Sequence, residues 1–324
     1  MLYPLKFKPV FKDKIWGGRK INTNLGLDFS PLSKCGEAWA LSGVAGCQTV
    51  VSNGFLEGNE LNEILEIYMD ELVGEKVYER YANEFPILVK FIDANDYLSI
   101  QVHPDDELAA RRNIGNGKTE MWYILDADPG AELITGFGRE MNRATYLDFF
   151  NQKRLKETLN FEKVKKGDVF FIPSGRVHAL GPGILLAEIQ QTSDTTYRIY
   201  DWDRVDSEGN SRELHTALAL DAIDFSHVDS YRTGYKHEIN KTASLVNCSS
   251  FTTNLLELDR TVDKDYGDLD SFVIYICVEG KAEIRTGEEC ISLITSEVIL
   301  IPATIDEVSL TPDPFTRILE VYIS

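Results

Sequence analysis

Gln101-Val-His103-Pro104, Lys118-Thr-Glu120-Met-Trp-Tyr and Ile172-Pro173-Ser-Gly-Arg-Val-His178 hold the side chains of this 324-residue chain best suited to metal chemistry. Gln101 and His103 lie two apart in the alternating stretch Tyr97 to His103, so on a strand both project from one face. Glu120 precedes an apolar run, Met121 to Leu125, that reads as the next strand, and His178 follows a third, Val169 to Pro173. Two imidazoles, a carboxylate and an amide oxygen can therefore converge from separate strands of one sheet. Two His and one carboxylate with room for water form a familiar catalytic zinc set. Only five His occur in the chain, and two are here.

Each residue also has a plainer reading. His103 alone reads as a hydrogen-bonded strand histidine, Glu120 as a partner of Lys118, and His178 as a loop histidine after a Gly-containing turn. Gln101 changes the balance, because a buried amide left without a partner costs about 1–3 kcal/mol, and a metal ion is one such partner. Cationic candidates accompany the set. Lys90 ends the apolar run Ile87 to Val89, an awkward place for an ammonium unless its tip reaches a polar cavity. Lys118 faces the same side of a strand as Glu120, and Arg198 follows Glu188 across a polar run. Arg suits bidentate phosphate contact, with Lys as a point charge beside it.

Other features carry no chemistry. Gly136-Phe-Gly138 lacks the rest of a dinucleotide fingerprint. Asp105-Asp106-Glu107 reads as the capped start of a short helix rather than an acidic metal cluster. His215 has no spaced partner, and no Ser or Cys sits in a nucleophile motif.

Stepping along the chain, short apolar runs and glycines over the first fifty residues suit strands joined by turns. Leu61, Ile64, Leu65, Tyr68 and Leu72 recur at helical spacing, with Asn59 as the expected cap and Gly74 as the stop. Strands alternate with turns from Pro86 to Arg198, interrupted by a helix predicted over 142–159; a further helix is predicted over 212–223. The polar, aperiodic stretch from Ser226 to Asn240 marks a domain boundary, giving units 1–235 and 236–324. Gly167-Asp-Val-Phe-Phe-Ile-Pro173 is repeated as Ser296-Glu-Val-Ile-Leu-Ile-Pro302, each preceded by a strand pair. Two double-sheet jelly rolls follow. In the second copy Glu307 stands in for His178, and Ser271 takes roughly the place of Glu120, so this unit is expected to be free of metal.

Composition narrows the function classes. With 43% hydrophobic and 26% charged residues the chain is an ordinary globular one. A formal charge of −19 argues against nucleic-acid and anionic-membrane partners but leaves room for a phosphorylated ligand in a local cationic pocket. Five cysteines without a C-x-x-C pair read as reduced thiols, Cys277 as a buried structural one. No charged-then-apolar leader and no apolar run near the roughly 20 residues of a membrane span is visible, so the expected address is cytoplasmic.

In its motifs the chain resembles the class I mannose-6-phosphate isomerases in their short bacterial form. The resemblance runs through Ile15-Trp-Gly-Gly, Phe85 to Lys90, Leu98 to Asp105, Gly117 to Leu125, Val164 to Leu180 and Glu188 to Arg198, about two-thirds of the chain. It implies a mainly β fold of two cupin-type jelly rolls, catalytic and then degenerate, with a few covering helices. It further implies one Zn2+ held by Gln101, His103, Glu120 and His178. Lys90 and Ser99 match substrate-binding positions, and Lys118, Glu188 and Arg198 catalytic ones. The implied partner is a phosphorylated hexose, the implied reaction aldose–ketose isomerisation of mannose 6-phosphate and fructose 6-phosphate through a cis-enediol(ate), and the expected state a monomer or weak homodimer. An iron dioxygenase on the same roll, or a non-catalytic sugar-phosphate-binding cupin, is the alternative. One departure is local: Ser42-Gly-Val-Ala45 replaces the Ser-Ala-His-Pro that similar proteins tend to carry, which leaves open any pocket-shaping role of that loop.

Overall fold

The computed structural model describes residues 2–205 and 208–324. Its framework is three antiparallel sheets. A six-stranded sheet takes the order Val169–Ile172, Glu120–Ala127, Ile184–Gln191, Ile87–Ala94, Glu37–Leu41, Val10–Lys12. Facing it, a five-stranded sheet runs Tyr197–Tyr200, Ile100–Val102, His178–Leu180, Glu132–Phe137, Leu159–Lys163. These two make the first jelly roll. The third sheet has nine strands, mostly from residues 242–322, and its two longest, Val273–Thr286 and Glu307–Tyr322, carry the second roll. The strand Leu5–Lys8 is hydrogen-bonded into this third sheet, pairing with Val298–Ile301.

Both central strands of the first roll, Ile87–Ala94 and Ile184–Gln191, are buried at every residue. The period of two explains why. Val89, Phe91, Tyr123, Ala187 and Ile189 point out of the roll and share one apolar core with Ile274, Ile276, Leu319 and Val321 of the second. The alternate positions point inward, where Ile92, Trp122, Ile124 and Leu186 build the roll's own core. A sheet covered on both faces needs near-continuous apolar strands, and against that background inward-facing Lys90 and Glu188 stand out.

Several local expectations hold. Asp105 caps Asp106–Arg112 by accepting from Leu108 N–H. Cys277 is fully buried, and no disulfide links the five thiols. Others need correction. The helix Leu61–Val73 is capped at Glu60, whose N–H donates to the Glu63 carboxylate, while Asn59 turns back to the Leu56 carbonyl. The helix after Asn142 ends at Asn151; a 3-10 turn and the strand Leu159–Lys163 follow. The last helix of the first roll begins at Thr216, because Arg212 is held by Asp201 and His215 N–H by the Arg198 carbonyl. Ser271 does not occupy the place of Glu120. Ile172 pairs with Glu120 and its repeat counterpart Ile301 with Val273, so Val273 does.

Since the two rolls share one core, Leu319→Ala, at a fully buried contact between them, is expected to lower unfolding free energy by about 2–5 kcal/mol in chemical denaturation. A loss below about 1 kcal/mol would mean the rolls do not depend on this packing.

Candidate metal centre

Register assembles the site. Gln101 pairs with His178 on one side and Arg198 on the other, so these three side chains form a lateral row on the inner face of the five-stranded sheet. Glu120 does not share their sheet, contrary to the expectation from sequence, but opens a strand of the opposing six-stranded sheet beside Gln190, where the next row holds Trp122, Glu188 and Lys90. His103 follows directly on the Ile100–Val102 strand and is 1% exposed.

The two histidines are fixed by the same device. Nδ1 of His103 lies 2.9 Å from the Thr195 carbonyl, and Nδ1 of His178 2.8 Å from that of Arg176. A carbonyl only accepts, so Nδ1 carries the proton and Nε2 presents a lone pair. Those lone pairs converge on Glu120. His103 Nε2 is 3.5 Å from Oε2 and His178 Nε2 3.5 Å from Oε1, and ligand atoms of all three residues lie within 4.8 Å of one another. Gln101 adds its amide, with Nε2 3.3 Å from His178 Nε2 and Oε1 accepting from Ser99 Oγ at 3.3 Å.

Burial sets the electrostatics. It drives the His178 imidazole down to about 4, against smaller opposing contributions, and holds His103 well below its ordinary value with help from Lys118. Glu120 is pushed up to about 7, first by burial and then by Glu188. Lys118 Nζ stands 3.0 Å from both His103 Nε2 and Glu120 Oε2, yet Glu120 Oε1 is buried with no hydrogen-bond partner among the described residues. Leaving a buried carboxylate oxygen unpaired costs more than the about 1–3 kcal/mol of a neutral group. Two neutral imidazole lone pairs, an orphaned carboxylate oxygen and an amide fit a divalent ion of the zinc type.

Around this cluster runs a cavity lined by Lys14, Lys90, Lys118, Arg198 and Arg212 together with Glu37, Glu188 and Asp194. Five cations against three carboxylates make it locally basic in a chain of formal charge −19. Glu188 has both oxygens engaged, by Lys90 at 3.1 Å and by Trp122 Nε1 at 2.9 Å. Burial pushes Glu188 up, but Lys90 and Lys118 outweigh it and keep the carboxyl below its ordinary value. Lys90 also donates to Gln190 at 2.6 Å and lies over the Trp39 ring. Arg198 donates Nη1 to the Glu213 carbonyl at 2.8 Å, while its Nε has no partner among the described residues. All nine residues singled out by sequence thus gather in one region.

Sequence reasoning missed Glu37, Trp39, Gln190, Asp194 and Arg212. Trp39 accepts Lys90 on its face and donates to Glu37 at 2.8 Å. For Gln190 the signal was present: it shares a face with Glu188 two residues on. For Arg212 there was none, since a loop carries it to the cavity. Ser42 to Ala45 line no part of it.

Fold and site together define a cupin-type double jelly roll with a buried candidate metal site. The family model for the catalytic domain of type I phosphomannose isomerases matches residues 4–132. Mannose-6-phosphate isomerase ManA of Bacillus subtilis is 36% identical over 313 residues, 95% of each chain, and mannose-6-phosphate isomerase of Streptococcus mutans is 34% identical over 307 residues, 94% of each. The crystal structure of the Bacillus subtilis mannose 6-phosphate isomerase superposes with a TM-score of 0.89 at 31% identity, covering 99% of this chain and 100% of that one. The chain belongs to the mannose-6-phosphate isomerase family.

In chelator-treated protein, NMR titration should find the His178 ring neutral down to about pH 5; a midpoint near 6.5 would contradict the burial argument. The linkage has a definite sign. Unfolded histidine takes up its proton near 6.5 and folded His178 only near 4, so its contribution to stability is complete above 6.5 and is lost as pH falls to 4. Glu120, raised to about 7, opposes this over the same range.

Proposed function

We propose that the protein is a zinc-dependent aldose–ketose isomerase that interconverts mannose 6-phosphate and fructose 6-phosphate through a cis-enediol(ate). The observation that carries this reading is the His103, Glu120 and His178 cluster, with its unpaired carboxylate oxygen, beside a basic cavity that His178 and Lys118 line. Names of relatives that cover nearly the whole chain support the substrate.

His103 and His178 through Nε2, Glu120 through a carboxylate oxygen and Gln101 through its amide oxygen would hold zinc; turning the Gln101 amide over brings that oxygen to His178. Bound zinc would supply Lewis-acid polarisation of the sugar carbonyl. The chain's own residues do the rest. Arg198, with an unpartnered Nε, and Arg212 offer planar donor sets to the phosphate or to a developing oxyanion. Ser99 and Lys90 orient hydroxyls along the inner wall. Of the two candidate bases, Glu188 is engaged at both oxygens and held ionised, which suits fixing Lys90 more than taking a proton. We therefore assign movement of the proton between C2 and C1 to Lys118 Nζ, which lies against His103 and Glu120: having given one proton to solvent, it takes the C2 proton as the neutral amine and returns it to C1, with Arg198 stabilising the enediolate charge. Lys90, Lys118 and Glu188 are each 4% exposed, so these groups are largely withdrawn from bulk water.

Glu120→Ala and His178→Ala should abolish zinc retention and turnover together, read by metal analysis and a coupled fructose 6-phosphate assay. Lys118→Ala should cost about 10²–10⁴-fold in kcat and Arg198→Ala about 10²–10³-fold, the latter with zinc content unchanged. Native turnover in a metal-free protein would remove the metal from the mechanism; phosphosugar binding without turnover would favour a sensor, and bound iron with oxygen uptake the dioxygenase.

A further inference from the structure

Rows of the two rolls correspond through their hydrogen-bond registers. Across the catalytic sheet Phe170, Trp122, Glu188 and Lys90 stand side by side; across the C-terminal sheet Ile299, Tyr275, Glu320 and Asn254 do so. Glu320 therefore occupies the place of Glu188, Tyr275 that of Trp122 and Asn254 that of Lys90. The match extends along the strands. Asp265 pairs with Glu307 as Gln101 pairs with His178, and each follows its counterpart by the same interval (265 − 254 and 101 − 90).

The metal-holding side chains are gone from this copy, yet its buried carboxylate is not. Glu320 is 1% exposed and receives hydrogen bonds from Tyr266 and from Asn254 Nδ2 at 2.8 Å, with Lys264 Nζ also at 2.8 Å. A buried charge network of this kind is often replaceable by apolar packing without loss of stability, so its retention needs another reason. Above it opens a cleft of about 390 Å³, walled by Thr242, Asn254, Lys264, Tyr266, Glu320 and Tyr322, within the range of small-ligand sites. Asn254 is 5% exposed, and its Oδ1 accepts no hydrogen bond among the described residues. That oxygen keeps a free lone pair and is not shut off from solvent, so a donor in the cleft can reach it.

We propose that the C-terminal roll carries a second, non-catalytic site for a neutral polyhydroxylated ligand of hexose size. Asn254 Oδ1 and the Tyr322 hydroxyl are its hydrogen-bonding groups, and the Glu320 carboxylate, engaged at both oxygens, holds the Asn254 amide in place. Asp265, Asp268 and Glu320 against Lys264 alone leave the cleft net acidic and repel a phosphate. The ligand class is thus the unphosphorylated counterpart of what the basic catalytic cavity selects, and the site's failure would leave the isomerase assignment untouched.

Saturation-transfer NMR on the zinc-loaded full chain tests it with methyl α-D-mannopyranoside, whose locked ring cannot be isomerised. Saturable transfer is expected, unchanged in Arg198→Ala. Half-saturation should rise about tenfold in Tyr322→Phe, the loss of one good hydrogen bond, and in Glu320→Gln, which loosens the Asn254 amide, with isomerase turnover retained in both. Tyr322→Phe removes only a half-buried hydroxyl and decides the matter if Glu320→Gln misfolds. Absence of saturable transfer, or transfer that Arg198→Ala abolishes and the C-terminal variants keep, would overturn the proposal and make the Glu320 network purely structural.

Discussion

Antiparallel register is the constraint on which the site depends. Gln101 can meet His178 and Arg198 only because their strands are neighbours with those residues directly opposite, and Glu120 can face them only because its strand lies in the opposing sheet. A slip of one residue in any of these strands would turn the functional side chain outward. The out-facing positions of the six-stranded sheet guard against that slip, since they interlock with the second roll in a shared apolar core. The C-terminal roll therefore fixes the geometry of the candidate site without lining its cavity.

Within that frame the interior carries charge that an apolar core would avoid. Lys90, Lys118, Glu120 and Glu188 are all nearly inaccessible, and each is tolerable only because another compensates it. Removing one member of such a network typically costs about 3–5 kcal/mol by stranding its partner. Lys90 is held above its ordinary value because Glu188 and Glu37 outweigh the effect of burial. Selection for stability alone gives no reason to assemble this set; the proposed isomerisation does, since it needs a base and cationic partners for a developing oxyanion.

Much of this was legible in the sequence. The period of two placed Gln101 and His103 on one face, and the repeat at Val169 to Pro173 and Val298 to Pro302 announced two rolls. The Ser271 alignment failed because spacing alone cannot resolve which residue lies opposite a repeat; hydrogen bonding between Ile301 and Val273 does. Helix ends were misplaced after Asn142 and before Thr216, where tertiary contacts such as that of Arg212 with Asp201 override local propensity. Arg212 itself was invisible, because nothing local tells which loop residue a fold will deliver to a cavity.

X-ray absorption at the zinc edge of the purified protein reads the ligand set itself. A shell of light scatterers only is expected, at roughly 2.0–2.2 Å, with the multiple scattering of two imidazoles. Sulfur in the shell, at roughly 2.3 Å, or fewer than two imidazoles would contradict it.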